Sequence, residues 1–173
     1  DNDNTVTLDQ IVDDAFGAVL WVKDNIAQYK GDKMRIAVTG DSAGAHLAAM
    51  IVNSGTRVSS APFSITSPRF RPSYIPSASS VEDISEENDL TVQAAILSYG
   101  AFDIHQSAID GFESMMNPFW WVSGSFGRGV FGDAFNVVDH PVLYMAVSPL
   151  HNIPDTSERS LPTQLFIVGS EDP

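Results

Sequence analysis

Residues 38–50 read Val-Thr-Gly-Asp-Ser-Ala-Gly-Ala-His-Leu-Ala-Ala-Met, and this stretch restricts the possible folds more than any other in the chain. A short β-rich run, Arg35–Thr39, enters a bend of small residues from Gly40 to Gly44, and a periodic helix, Ala43 to Ser54, leaves it and is closed by Gly55. In a G-x-S-x-G bend of this kind the serine is lifted off the sheet in a strained backbone conformation. Neighbouring chain passes so closely that side chains two residues either side would collide. Gly40 and Gly44 meet that demand. The helix starting after Ser42 aims its amide-rich, partly positive end at the hydroxyl, and the Ala43 N–H is placed to donate to an oxyanion. A hydroxyl is a feeble nucleophile near neutral pH, so this chemistry also needs a histidine base and an acid to orient it. The competing reading is a tight turn of small residues; the strand on one side and the helix on the other favour the nucleophile.

The rest of the chain continues the same alternation. Thr7 and Gln10 fit a capping box that opens a helix with Ile11, Ala15, Val19, Val22 and Ile26 on one face, ended by a left-handed Gly31. Buried strands are expected at Val92–Tyr99 and Thr163–Val168, and a short helix at Pro141–Val147 stopped by Ser148-Pro149. Strands alternating with helices predict an α/β fold, a mainly parallel sheet with helices on both faces. Residues 56–91 read as an irregular surface excursion, and their acidic cluster, Glu82, Asp83, Glu86, Glu87 and Asp89, as a solvated face. The aromatic stretch from Phe119 to Phe135 has two open readings. It is either a cap lining an apolar pocket, which would make residues 101–147 a cap or lid insertion, or plain core packing. Gly124, Gly127, Gly129 and Gly132 are compatible with a mobile cover.

Charge and composition exclude several classes of partner. A formal net charge of -13 repels phosphate backbones and anionic headgroups, so neither nucleic acid nor an acidic membrane is expected to bind. No apolar run approaches the roughly 20 residues of a membrane span, and a soluble, cytoplasmic protein is the default expectation. There is no cysteine, which removes disulfides and thiolate metal sites. The first residues lack both an initiator methionine and the order of a secretory leader, and a buried strand stands close to Pro173 with no crossover helix after it. Residues 1–173 are therefore read as the central part of one larger catalytic domain.

"GDSAGAHLA" at 40–48, the preceding helix with Trp21, "SP" at 148–149, "LP" at 161–162 and "GSEDP" at 169–173 resemble the hormone-sensitive-lipase-like branch of the α/β-hydrolase fold. The resemblance implies an esterase of short- to medium-chain carboxylic esters, with no metal or organic cofactor. It carries the nucleophile to Ser42 and the triad acid to Asp172. Glu171 competes with Asp172 on position alone; the residue before proline is the family's choice. Two departures stand out. Ala45 replaces a glycine usual in the motif, and the chain lacks both an H-G-G segment upstream of Ser42 and a histidine downstream of Asp172. A companion polypeptide is expected to supply both. His46, four residues along the same helix, should run beside it and not over Ser42. His105 and His140 read as surface or capping residues and His151 as a loop residue, and Asp41 as a structural hydrogen-bonding group. The rival expectations are a non-catalytic small-molecule receptor on the same fold, and an inactive fragment that needs a partner chain.

Overall fold

The computed structural model describes residues 6–86, 90–122 and 129–170. Helix α1 (Leu8–Asn25) opens with the side chain of Gln10 accepting the Thr7 N–H at 3.1 Å, one half of the expected capping box. Its buried side is Val12, Phe16, Gly17, Val19 and Leu20, a stripe turned from the expected one; Ile11 is exposed. The helix is apolar on two sides. One packs into the core, while Ala15, Val19 and Val22 line an open groove of about 400 Å³ against residues 36–39 and 44–51. Gly17 lets the 73–74 strap cross α1, because a Cβ there would stand 2.5 Å from Ser73 Oγ and 2.7 Å from Tyr74 N. The helix ends in a 3₁₀ turn, Ile26–Tyr29, and Lys30, not Gly31, takes the left-handed conformation at φ 64°. Gly31 answers instead to crowding, since its missing Cβ would meet Ile26 Cγ1 at 2.4 Å.

Strand β1 (Ala37–Asp41), helix α2 (Ala43–Ser54), strand β2 (Ala94–Ser98) and strand β3 (Thr163–Ile167) form the centre. The sheet has the order β1-β2-β3, all parallel, with Thr39, Ile96 and Leu165 in register across it. Strand β1 starts two residues later than the sequence suggested; at its entry the Ile36 N–H donates to the side chain of Gln93, Oε1, at 2.6 Å, while the Ile36 carbonyl accepts the Gln93 N–H at 2.8 Å. Helix α2 has the expected bounds, with Ala45, Ala48, Ala49, Met50, Ile51 and Val52 buried. Gly55 closes it in right-handed conformation, φ −59°, and is needed for a close approach: a Cβ would lie 2.8 Å from Ile51 O and 2.9 Å from Leu90 Cβ. The guanidinium of Arg159 donates to Val52 O and Asn53 O at 2.6 and 2.7 Å, satisfying carbonyls that the helix leaves unpaired at its C-terminus.

Ala95 and Leu97 face the buried side of the sheet. On the other side Thr39, Ile96, Leu165 and Ile167 stand exposed, so the second helical layer expected from the sequence is not formed by the described residues. The 56–91 excursion is anchored more firmly than its composition implied. Phe70 and Ile84 are fully buried, and helix α3 (Val81–Glu86) turns Val81 and Ile84 inward while Glu82 and Asp83 face solvent. Glu87 and Asp89 lie outside the described residues.

Helices α4 (Ile104–Ile109), α5 (Pro118–Val122) and α6 (Pro141–Ala146) follow β2, and a 3₁₀ turn, Pro149–Asn152, leads on towards β3. Pro141 occupies the first turn of α6, as expected. Ring contacts run from Phe16 through Phe70, Phe63 and Phe131 to Tyr144, with centroids 5.1–6.0 Å apart. Each such pair is worth about 0.5–1.5 kcal/mol beyond area burial. Phe131 is therefore core, whereas Met115, Met116 and Phe119 are exposed. Among the described residues no helix is long and apolar enough to cross a membrane.

One half-buried acid gives a measurable pH effect. Asp13 on α1 is pushed up to about 7, chiefly by burial and further by Asp9 and Asp14, against the lowering by the Arg71 N–H and the Arg71 charge. A carboxyl raised in the folded state stabilises below its unfolded value, near 3.8, and loses that contribution as pH rises through about 7. Asp13→Asn keeps an acceptor for the Arg71 N–H, 2.7 Å away. Its melting temperature is expected to fall less than wild type's between pH 4 and 8, and to exceed it at pH 8; parallel melting curves would refute this.

Candidate active site

Ser42 stands between the last residue of β1 and the first of α2 at φ 52°, ψ −119°. Alanine and serine pay for that region where glycine does not, a cost of order 1–3 kcal/mol held by the surrounding structure. The structure that holds it is specific. Ser42 N–H donates to Ser98 O at 3.0 Å, tying the bend to the end of β2, while Ser42 O accepts the first helical bond of α2 from His46 N at 3.2 Å. Beneath the bend, a Cβ on Gly40 would lie 2.2 Å from Gly44 C, 2.3 Å from Gly44 O and 2.6 Å from Ala45 N. Strand and helix touch backbone to backbone there.

The expectation for Gly44 needs correcting. A Cβ at Gly44 meets nothing within 4 Å among the described residues, so its side chain is not what the close approach excludes. Gly44 contributes its main chain to the contact and Gly40 the missing side chain. The bend itself is also shorter than its sequence suggested, because Gly40 and Asp41 still belong to β1.

Ser42 occupies the N-cap position of α2, where a serine ordinarily turns its hydroxyl onto the helix's first amides. Here the side chain makes no such cap, and the residue is exposed. The hydroxyl is thus left at the positive end of a 12-residue helix. Ala43, the first residue of that helix, has an amide with no partner inside the helix. This arrangement can present a nucleophilic oxygen and an amide donor to one carbonyl group.

Asp41 is a hydrogen-bonding group, as expected: Tyr99 Oη donates to its Oδ2 at 2.9 Å. Tyr99 was not singled out from sequence. It follows β2 at φ 40°, a second non-glycine residue with positive φ beside the bend, and its N–H donates to Ile167 O at 2.7 Å. The Ser98-Tyr99-Gly100 ending of an apolar strand was the available cue.

The histidines are engaged elsewhere. His46 is buried, its Nε2 2.8 Å from Val147 O, and burial lowers its pKa against the opposing effect of that carbonyl. It is a neutral imidazole joining α2 to the end of α6. His140 precedes α6 with its ring against Phe135, centroids 4.9 Å apart, and its Nδ1 is buried without a partner. His105 and His151 lie together beside Asp103. Glu171 and Asp172 lie outside the described residues, as do Gly124 and Gly127.

A family model described as BD-FAE matches residues 3–173. The chain belongs to the BD-FAE family. It is a hormone-sensitive-lipase-like α/β-hydrolase chain, as the resemblance implied. The chain is 31% identical over 156 residues to "Esterase LipQ" of Mycobacterium tuberculosis, covering 90% of this chain and 29% of that protein. It is 36% identical over 101 residues to "Probable carboxylic ester hydrolase LipM" of the same organism, covering 58% of this chain and 18% of that protein. The chain therefore spans less than a third of either relative. A solved structure, "Truncated form of carbohydrate esterase from gut microbiota", overlays with TM-score 0.54 at 19% identity, covering 91% of this chain and 48% of that one, a likeness of fold.

Proposed function

We propose that this BD-FAE chain carries the nucleophile and the acid of a serine carboxylesterase. The observation that carries the reading is the unspent hydroxyl of Ser42, held at positive φ at the head of α2. Ser42 Oγ attacks the ester carbonyl. A histidine takes its proton and gives it to the departing alcohol, Asp172 orients that imidazole, and the Ala43 N–H donates to the tetrahedral oxyanion, a donor typically worth about 2.7–4 kcal/mol. Water then attacks the acyl-enzyme, releasing the carboxylic acid and restoring the hydroxyl.

The His46 bond to Val147 O, the His151–Asp103 pair and the ring contacts of His105 and His140 support a base that is none of these four, contributed by a companion polypeptide that also brings the H-G-G segment. The exposed row of Ile96, Leu165 and Ile167 supports the same reading, because a fold of this kind normally covers such a sheet face. Residues 101–147 are proposed as the cap, anchored in the core by Phe131 and presenting Met115, Met116 and Phe119 as apolar surface. The substrates are small esters of short or medium acyl chains; the names of LipQ and LipM agree with ester chemistry.

Treating the intact protein with a fluorophosphonate and mapping the adduct by mass spectrometry is expected to find it on Ser42. A p-nitrophenyl acyl series is expected to turn over best at short to medium lengths. Ester retained without turnover, and no adduct, would replace the enzyme with a receptor-like binder.

A further inference from the structure

Asp103, His105 and His151 are not among the residues assigned to ester hydrolysis, and each offers one ligand atom within 4.8 Å of the other two. We propose that they form a binding site for a zinc-class divalent transition ion that clamps helix α4 to the 3₁₀ turn at Pro149–Asn152. Two imidazoles and a carboxylate are a donor set for such an ion, with the fourth position left to water. Zinc bonds of roughly 2.0–2.1 Å in tetrahedral geometry separate neighbouring ligand atoms by about 3.3 Å. His151 Nε2 and Asp103 Oδ1 are 3.3 Å apart. The ligand atom of His105 lies within 4.8 Å of the other two, its ring 5.8 Å from that of His151 between centroids, and it moves closer when the ion binds.

The main chain that carries these donors is already fixed. Asp103 is the N-cap of α4, its Oδ1 accepting the Gln106 N–H at 2.9 Å and its carbonyl accepting Ser107 Oγ at 2.8 Å. His105 N–H donates to Ser148 Oγ at 3.0 Å, and that buried hydroxyl donates to Tyr144 O at 2.7 Å. Leu150 N–H donates to Phe102 O at 3.0 Å, binding the turn with His151 to the segment entering α4. Asn152 secures the turn from below, donating to Met145 O and Ala146 O at 3.0 Å and to Ser148 O at 2.7 Å. Ordering the ligands therefore costs little beyond side-chain rotamers. His151 and Asp103 keep 34% and 27% of their side chains exposed, which leaves an entry path from solvent.

The test is calorimetric titration of zinc chloride into the chelator-treated, intact protein, with cobalt(II) absorption reporting coordination. One saturable equivalent is expected, with the strong visible bands of a four-coordinate cobalt site and a higher melting temperature when zinc is present. His105→Ala and His151→Ala should each weaken zinc by more than the roughly 10–100-fold typical of losing a partner outside the ligand shell, and His140→Ala should leave it unchanged. His105→Ala spares the His151–Asp103 pair, so it separates a three-ligand site from a simple ion pair. Zinc binding that survives both replacements, equal uptake of magnesium by the acidic surface, or no saturable binding by protein of unchanged circular dichroism would each overturn the proposal.

Discussion

Ser42→Ala is expected to reduce ester turnover by about 10⁶-fold, as loss of the nucleophile does in a serine hydrolase of this type, and to leave the melting temperature almost unmoved. The second half of that result is the discriminating one. At an ordinary N-cap the same change costs about 0.5–2 kcal/mol, because a hydroxyl that satisfied a helix amide is gone. The Ser42 side chain makes no cap bond, so alanine loses nothing of that kind and inherits the same positive φ. Ser42→Gly should separate strain from chemistry. It is as inactive as the alanine variant but more stable by about 1 kcal/mol or more, since glycine adopts φ 52° without the side-chain penalty. Thermal unfolding of the three proteins beside their esterase rates measures both quantities. An alanine variant destabilised like a lost cap would make Ser42 a structural residue.

What the sequence revealed of this site and what it hid divide along one physical line. Local demands were visible: the Gly40–Gly44 bend, the bounds of α2, and the proline that opens α6 all follow from what a few adjacent residues permit. Non-local demands were not. The buried side of α1 could not be separated from the side that lines the groove with β1, because both carry apolar residues at helical spacing. Phe70 and Ile84 lay within a Ser- and Pro-rich excursion whose composition gave no sign that two of its side chains reach the core. Tyr99 owes its place to a partner 58 residues away, Asp41, and Asp103 and His151 meet only because Ser148 and Phe102 tie two turns together. His46 was expected to lie beside its own helix, and the carbonyl that holds it, Val147 O, is 101 residues distant.

The two glycines of the bend, alike in the motif, are expected to respond oppositely to the same methyl group. In Gly40→Ala the new Cβ would stand 2.2–2.6 Å from Gly44 C, Gly44 O and Ala45 N. These are main-chain atoms of the first turn of α2 and cannot rotate away as a side-chain tip would. Overpacking a core costs about 1–3 kcal/mol when side chains can adjust, and here the cost should be about 3 kcal/mol or more. That is a large share of the roughly 5–15 kcal/mol that stabilises a typical domain. Protein that still folds must push α2 away from β1, carrying the Ser42 hydroxyl and the Ala43 amide with it, and turnover should approach the level of Ser42→Ala. In Gly44→Ala the methyl enters open space near the start of a helix, where exchanging glycine for alanine gains up to about 1 kcal/mol. Denaturant melts are therefore expected to move in opposite directions, down for position 40 and up for position 44. Two variants destabilised alike would mean that Gly44 meets a neighbour on polypeptide beyond these residues.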